Sequence, residues 1–202
     1  DATWSRIQFT PDLLPSDVTG TQVFNQANGT FEFRPGPIFA NIVLADEINR
    51  ASPKTQSSML EVMEEGTVTN DASVYPVPRP FLVIATQNPI DMEGTYTLPE
   101  AQLDRFLMRL SVGYPDAEAE AMVLRTQRDG HAVDHLQPVL SIQDVLAMVQ
   151  WTHGIEVAPA LEHYIVALAA HTREAPEVRL GVSPRGSLAL LRAARAGALA
   201  SG

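Results

Sequence analysis

The sequence predicts an α/β fold in which a buried parallel sheet alternates with helices, followed by a smaller all-helical unit. Two short apolar runs, Ile42-Val43-Leu44-Ala45 and Phe81-Leu82-Val83-Ile84-Ala85, have the near-continuous hydrophobicity of strands covered on both faces. A punctuated helix lies between them. After Tyr114-Pro115-Asp116 no comparable run recurs, and the chain becomes Ala-rich with helical spacing.

In chain order, Ile7 to Phe9 is a short strand. Val23 to Phe33 alternates apolar and polar residues around Asn28-Gly29, a strong hairpin signal. After the run ending at Ala45 comes the helix, with Ser52 suited to the N-cap, Pro53 to its first position and Gly66 to the residue past its end. Met59, Leu60 and Met63 give it an apolar stripe of the kind that packs into a core. Thr67 to Tyr75 reads as a second hairpin with an Asn70-Asp71 turn. The run ending at Ala85 is followed by a short helix over Leu98 to Phe106, and Phe106 to Val112 is expected to add a fourth strand. Asp116, Ser141 and Ser183 are expected N-caps, and Ile142, Val145, Leu146 and Val149 share one helical face. The expected division is a core over residues 1–113 and a helical unit over 114–202.

Composition narrows the function. Of 202 residues, 45% are hydrophobic, enough for a sizeable core, yet no apolar run is long enough to span a bilayer, and the N-terminal stretch lacks the basic-then-apolar order of a signal peptide. There is no cysteine, and the five His lack ligand spacing, which removes disulfides and thiolate metal sites and argues against zinc. A cytoplasmic address is expected. A net charge of −10 opposes binding to nucleic acid, because phosphate contact needs clustered Lys and Arg. Lys54, in Pro53-Lys54-Thr55, is the only lysine, so no G-x-x-x-x-G-K-[ST] phosphate loop lies in this sequence.

Four segments carry chemistry. Asp46 and Glu47 follow directly on a buried strand, where open α/β sheets bind ligands beyond the strand ends. One acid there can hold Mg²⁺ through its waters while the next polarises a water for attack on a phosphoryl group; equally, the two can be loop carboxylates opening a turn. Asn88 ends the next run in Ala85-Thr86-Gln87-Asn88-Pro89, and its amide can donate to a γ-phosphate and accept from the attacking water, or simply be a turn residue before proline. Arg105, at the end of a short helix, can reach a phosphate bound to an adjacent subunit, or form a surface salt bridge with Asp104 or Glu100. Arg185, in Val182-Ser183-Pro184-Arg185-Gly186, stands in a first helical turn, where a cation is disfavoured unless an anion joins it or solvent screens it.

Together these segments resemble the MoxR family of AAA+ ATPases. The match is closest at Arg34-Pro35-Gly36-Pro37-Ile38-Phe39 and Leu44-Ala45-Asp46-Glu47-Ile48-Asn49-Arg50-Ala51. It continues through Pro53-Lys54-Thr55-Gln56, Ala85-Thr86-Gln87-Asn88-Pro89, Leu98-Pro99-Glu100-Ala101-Gln102-Leu103-Asp104-Arg105-Phe106 and Ser183-Pro184-Arg185, so it covers nearly the whole chain.

The resemblance implies a P-loop-type AAA+ core followed by an all-α lid. It also implies a Walker B element in which Asp46 coordinates Mg²⁺ through water and Glu47 is the catalytic base, with Asn88 as sensor 1, Arg105 as the arginine finger serving a neighbouring subunit and Arg185 as sensor 2, all five converging on one triphosphate pocket with one arginine reaching across from another copy. ATP and Mg²⁺ are the implied cofactors. A hexameric homo-oligomeric ring and a client containing a von Willebrand factor A domain are the implied partners, and the two hairpins are similar to insertions that face the ring centre. The departure is the phosphate loop, which with its strand and helix would precede Asp1; the expectation is a part of a longer protein, with an incomplete lid, inactive by itself. Two other readings are a non-catalytic interaction module for this chain alone and a magnesium-chelatase-like motor subunit.

Overall fold

The computed structural model describes residues 2–71, 73–88, 95–126 and 136–202. Three parallel strands form the central sheet: β1 (Trp4–Gln8), β4 (Ile42–Asp46) and β7 (Leu82–Ala85), with β4 in the middle. Trp4, Ile42 and Leu82 are in register, as are Ile7, Ala45 and Ala85. Asn41 aligns the strand starts. Its buried amide oxygen accepts from the backbone N–H and hydroxyl of Thr3 at 3.0 and 3.1 Å, and its nitrogen donates to the Pro80 carbonyl at 2.9 Å.

One face of this sheet is covered. Ile7, Val43 and Ala45 pack with Phe9, Ile38 and Ile48 against Met59, Leu60 and Val62 of α2 (Pro53–Glu65). That helix has the expected ends: Ser52 accepts from the Thr55 N–H, Pro53 is the first residue, and Gly66 closes it at φ 68°. Gln56, fully buried, secures its first turn, with its amide nitrogen 2.9–3.2 Å from the carbonyls of Ile48, Ala51 and Tyr96.

The other face corrects the expectation of strands covered on both sides. Alternation puts Trp4, Ile42, Leu82 and Ile84 on that face, and they are 70%, 39%, 53% and 49% exposed, because no described element lies over them. The fourth strand is also corrected. Residues 106–112 pair with no described strand, the chain bending at Phe106 and Leu107 and leaving Val112 fully exposed.

Both hairpins form. β2 (Gly20–Asn25) pairs with β3 (Thr30–Pro35), so the reversal falls at residues 26–29 and Gly29 takes φ 69°. At the base of this hairpin Gly20 and Gly36 cross so closely that a Cβ on Gly36 would lie 2.3 Å from the Val18 carbonyl oxygen. β5 (Thr67–Asn70) pairs with β6 (Ser73–Pro76), and its turn sits one residue later than expected: Asn70 pairs with Ser73, Asp71 takes φ 51°, and Ala72 lies outside the described residues. Phe33 stacks on Tyr75 at 4.0 Å between centroids, joining the two hairpins, while Phe24 and Phe31 form a second ring pair on the first.

Two short helices complete the core, α1 (Pro15–Thr19) against α2 and α3 (Glu100–Leu103). The remainder is helical: α4 (Ala117–Thr126), α5 (Ile142–Gly154), α6 (Pro159–Glu174) and α7 (Pro184–Ser201). The three N-caps fall as expected. Asp116 accepts from Ala119, Ser141 from Asp144 and Ser183 from Gly186. Among the described residues no helix is long and apolar enough to cross a membrane.

Candidate active site

Neighbouring parallel strands deliver their carboxyl ends to one edge of the sheet. Asp46 is the last residue of β4, Glu47 follows it, and Asn88 stands three residues past the end of β7. These three therefore lie at the same edge of the sheet. Asn88 is half-buried, and its backbone carbonyl accepts from the Asn49 side chain at 3.3 Å. Pro89, the end of that motif, lies outside the described residues.

Thr86 links the acids. Its hydroxyl donates to Asp46 Oδ1 at 2.5 Å while its oxygen accepts from the Glu47 backbone N–H at 2.9 Å. Arg6, projecting from β1 on the same face, donates to Asp46 Oδ2 through Nε at 3.1 Å and a terminal nitrogen at 2.5 Å. The Thr86 hydroxyl foremost, and then Arg6, hold the Asp46 carboxyl below the usual aspartate range. The Glu47 carboxylate is steadied by Gln8 at 3.0 Å and Arg50 at 3.2 Å.

Glu47 itself has left-handed backbone, φ 55° and ψ 47°. For a residue with a Cβ this costs about 1–2 kcal/mol. The conformation turns the chain sharply out of the strand into the short 3₁₀ turn Ile48–Arg50, whose Ile48 N–H donates to the Thr86 carbonyl at 3.0 Å. Strain retained at a strand-end acid is characteristic of functional sites.

The expectation that only one arginine reaches the pocket from another copy is corrected, because both lie away from the strand-end acids of their own chain. A helix crossing between parallel strands β4 and β7 must run back from their carboxyl ends, so α2 starts near Glu47 and finishes at the other end of the sheet. Glu64, in its last turn, lies about 18 Å along the axis from Ser52 at 1.5 Å per residue. Arg105 Nε sits 3.4 Å from Glu64 Oε2, and Arg185 donates to Glu64 Oε1. The five candidates thus fall into an acid and amide group at one end of α2 and an arginine pair at the other. Asp104 and Glu100, the expected salt-bridge partners of Arg105, are otherwise engaged: Asp104 accepts from the Ser183 hydroxyl at 2.7 and 2.8 Å, and Glu100 pairs with Arg179.

Sequence reasoning missed Thr86, Arg6, Gln8, Arg50 and Glu64. Thr86 had a signal, a hydroxyl directly after an apolar strand beside an acid-tipped one. Arg6 and Gln8 become neighbours of the acids only through the β1–β4 register, and Glu64 only through tertiary packing.

As for what this arrangement can hold, the Asp46 carboxylate and Thr86 hydroxyl are hard oxygen donors of the kind Mg²⁺ takes directly or through water. Among the described residues no cluster of three or more His, Cys, Asp or Glu could hold a metal by side chains alone.

Comparison with known proteins gives the family. A family model described as "ATPase family associated with various cellular activities (AAA)" matches residues 1–108, and one described as "AAA lid domain" matches residues 170–202. The chain is 54% identical over 198 residues to the uncharacterized protein YeaC of Bacillus subtilis, spanning 98% of this chain and 62% of that protein. It is 44% identical over 209 residues to the chaperone MoxR1 of Mycobacterium tuberculosis, spanning 99% and 55%. A crystal structure of a candidate ATPase from Cytophaga hutchinsonii superposes with a TM-score of 0.86 at 44% identity, spanning 97% of this chain and 62% of that one. The chain therefore spans a little over half the length of the curated relatives it matches. With its parallel sheet, acid-tipped central strand and helical lid, the chain belongs to the MoxR family of AAA+ ATPases.

Proposed function

We propose that the full-length protein hydrolyses ATP in a ring of identical subunits and uses the cycle to remodel or activate client proteins. The observation that carries this reading is Glu47, an acid held in left-handed backbone at the end of the central strand, beside Asp46 and at the same sheet edge as the segment after β7 that carries Asn88. Asp46 would hold Mg²⁺ as a Walker B carboxylate, with Thr86 orienting it. Bound Mg²⁺ supplies neutralising charge to the phosphate oxygens. Glu47 orients and deprotonates the attacking water, and Asn88 donates to the γ-phosphate as sensor 1. Arg105 and Arg185, at the far end of α2, serve a nucleotide held by a neighbouring copy. We place the boundary between core and lid near residue 114. A hexamer, a cytoplasmic address and a client with a von Willebrand factor A domain complete the reading, by resemblance to the family.

ATP turnover by the full-length protein, with and without Glu47→Gln, tests it. Turnover that the substitution removes supports the reading; unchanged turnover in the variant overturns it.

A second reading concerns these 202 residues alone, as a module that assembles without turning over nucleotide. It is favoured by Lys54, the only lysine, standing in the first turn of α2 rather than in a glycine-rich loop. Titration calorimetry with ATP and Mg²⁺ tests it, since tight binding contradicts the module.

A further inference from the structure

Arg105 belongs to the core and Arg185 to the first turn of α7, yet both guanidinium groups end on one carboxylate, that of Glu64. Two cations brought this close repel each other, and a shared carboxylate turns that repulsion into a stable cluster. Counted alone, the three side chains carry one excess positive charge, with the Asp104 carboxylate close by on Ser183. Glu64 engages only Nε of Arg105 and one terminal nitrogen of Arg185, while a guanidinium has five N–H donors in a fixed fork, so each keeps donors available for an incoming anion. The cluster is reachable, with the Glu64 and Arg185 side chains each 42% exposed.

The surroundings fix the pair. Asp104, next to Arg105, takes the hydroxyl hydrogen of Ser183, which also caps the helix in whose first turn Arg185 stands. Main-chain positions of both arginines are thereby set within one small region, and Glu64 sets where their charged ends meet.

We propose that Glu64 is a positioning residue that holds Arg105 and Arg185 together as a single two-pronged receptor for the phosphates of a nucleotide bound by a neighbouring copy. This rests on the ATPase reading above. A carboxylate that gathers both cations before the anion arrives removes the need to order two long side chains at the moment of reaction, which is where preorganised charge contributes to rate.

The test uses the full-length protein in four forms: wild type, Glu47→Gln, Glu64→Gln and Glu64→Asp. Wild-type turnover that Glu47→Gln abolishes establishes the ATPase reading first, and its absence sinks that reading and the proposal for Glu64 with it. Given turnover, Glu64→Gln is expected to lower kcat about tenfold, with KM for ATP within about twofold, since the binding residues of its own site are untouched. Glu64→Asp keeps the charge and recovers most of the loss. Mixed rings of Glu64→Gln and Glu47→Gln subunits turn over faster than either variant alone, because the Glu47→Gln copy lends an intact arginine pair to the intact acid site next door. Wild-type kcat in Glu64→Gln overturns the proposal. So does a loss that comes with a lowered Tm, is not relieved by Glu64→Asp and shows no complementation, which makes Glu64 a structural tie between core and lid.

Discussion

The Thr86 hydroxyl donates to Asp46 at 2.5 Å and accepts the backbone N–H of Glu47 at 2.9 Å, so one side chain on β7's extension holds the Asp46 carboxylate and the Glu47 backbone at the end of β4. Replacing it with valine keeps the shape and removes both bonds. Thr86→Val is expected to reduce ATP turnover of the full-length protein about tenfold while costing only about 1 kcal/mol of stability, measured by urea unfolding. Unchanged turnover would show that the bridge is dispensable.

The same bridge has a pH signature. Asp46 has a depressed pKa in the folded state, so its contribution to stability is complete above the unfolded value of about 3.9 and is lost as pH falls through the lower folded value. Its carboxyl carbon shift, followed by NMR, is expected to titrate below an ordinary aspartate in the wild type and to move upward in Thr86→Val. Coincident midpoints would contradict the assigned cause.

Left-handed backbone at Glu47 separates stability from activity. Glu47→Gly should match or exceed the stability of Glu47→Ala by up to about 1 kcal/mol, because only alanine retains a Cβ that opposes this conformation. Both should be inactive. Denaturant melts of the two variants decide it, and a less stable glycine variant would mean that the strain is not felt.

Ser183 holds two structures at once, the start of α7 and the carboxylate of Asp104. Ser183→Ala is expected to cost about 1–2 kcal/mol through lost capping and a stranded acceptor. Hydrogen exchange at the first amides of α7 should rise, and equal protection in both proteins would argue against the link.

Much of the local architecture was legible because its causes are local. Ser52-Pro53 and Gly66 bound α2 through the capping needs of its own ends, and Asn28-Gly29 reverses the first hairpin through glycine's backbone freedom. The acids at 46 and 47 and the amide at 88 were readable for a related reason: an apolar run that stops at a polar residue marks a strand end, and parallel strands end together. What was not readable depended on elements remote in sequence. Residues 106–112 have the apolar content of a strand and pair with no described strand, because a ladder needs a neighbour as well as a propensity. Leu82 and Ile84 look interior in sequence and are half-exposed for lack of a covering layer. The meeting of Arg105 and Arg185 at Glu64 joins α2, the end of α3 and α7, and no window of sequence contains all three.

The ring contact between Phe33 and Tyr75 makes the two hairpins a single lever. A force applied at the Asn28 tip is passed ring to ring into the strand that leads, six residues after Pro76, to the start of β7 and onward to Asn88. Neither hairpin can swing alone without giving up about 0.5–1.5 kcal/mol of stacking, so displacing one tip costs energy at the other hairpin as well.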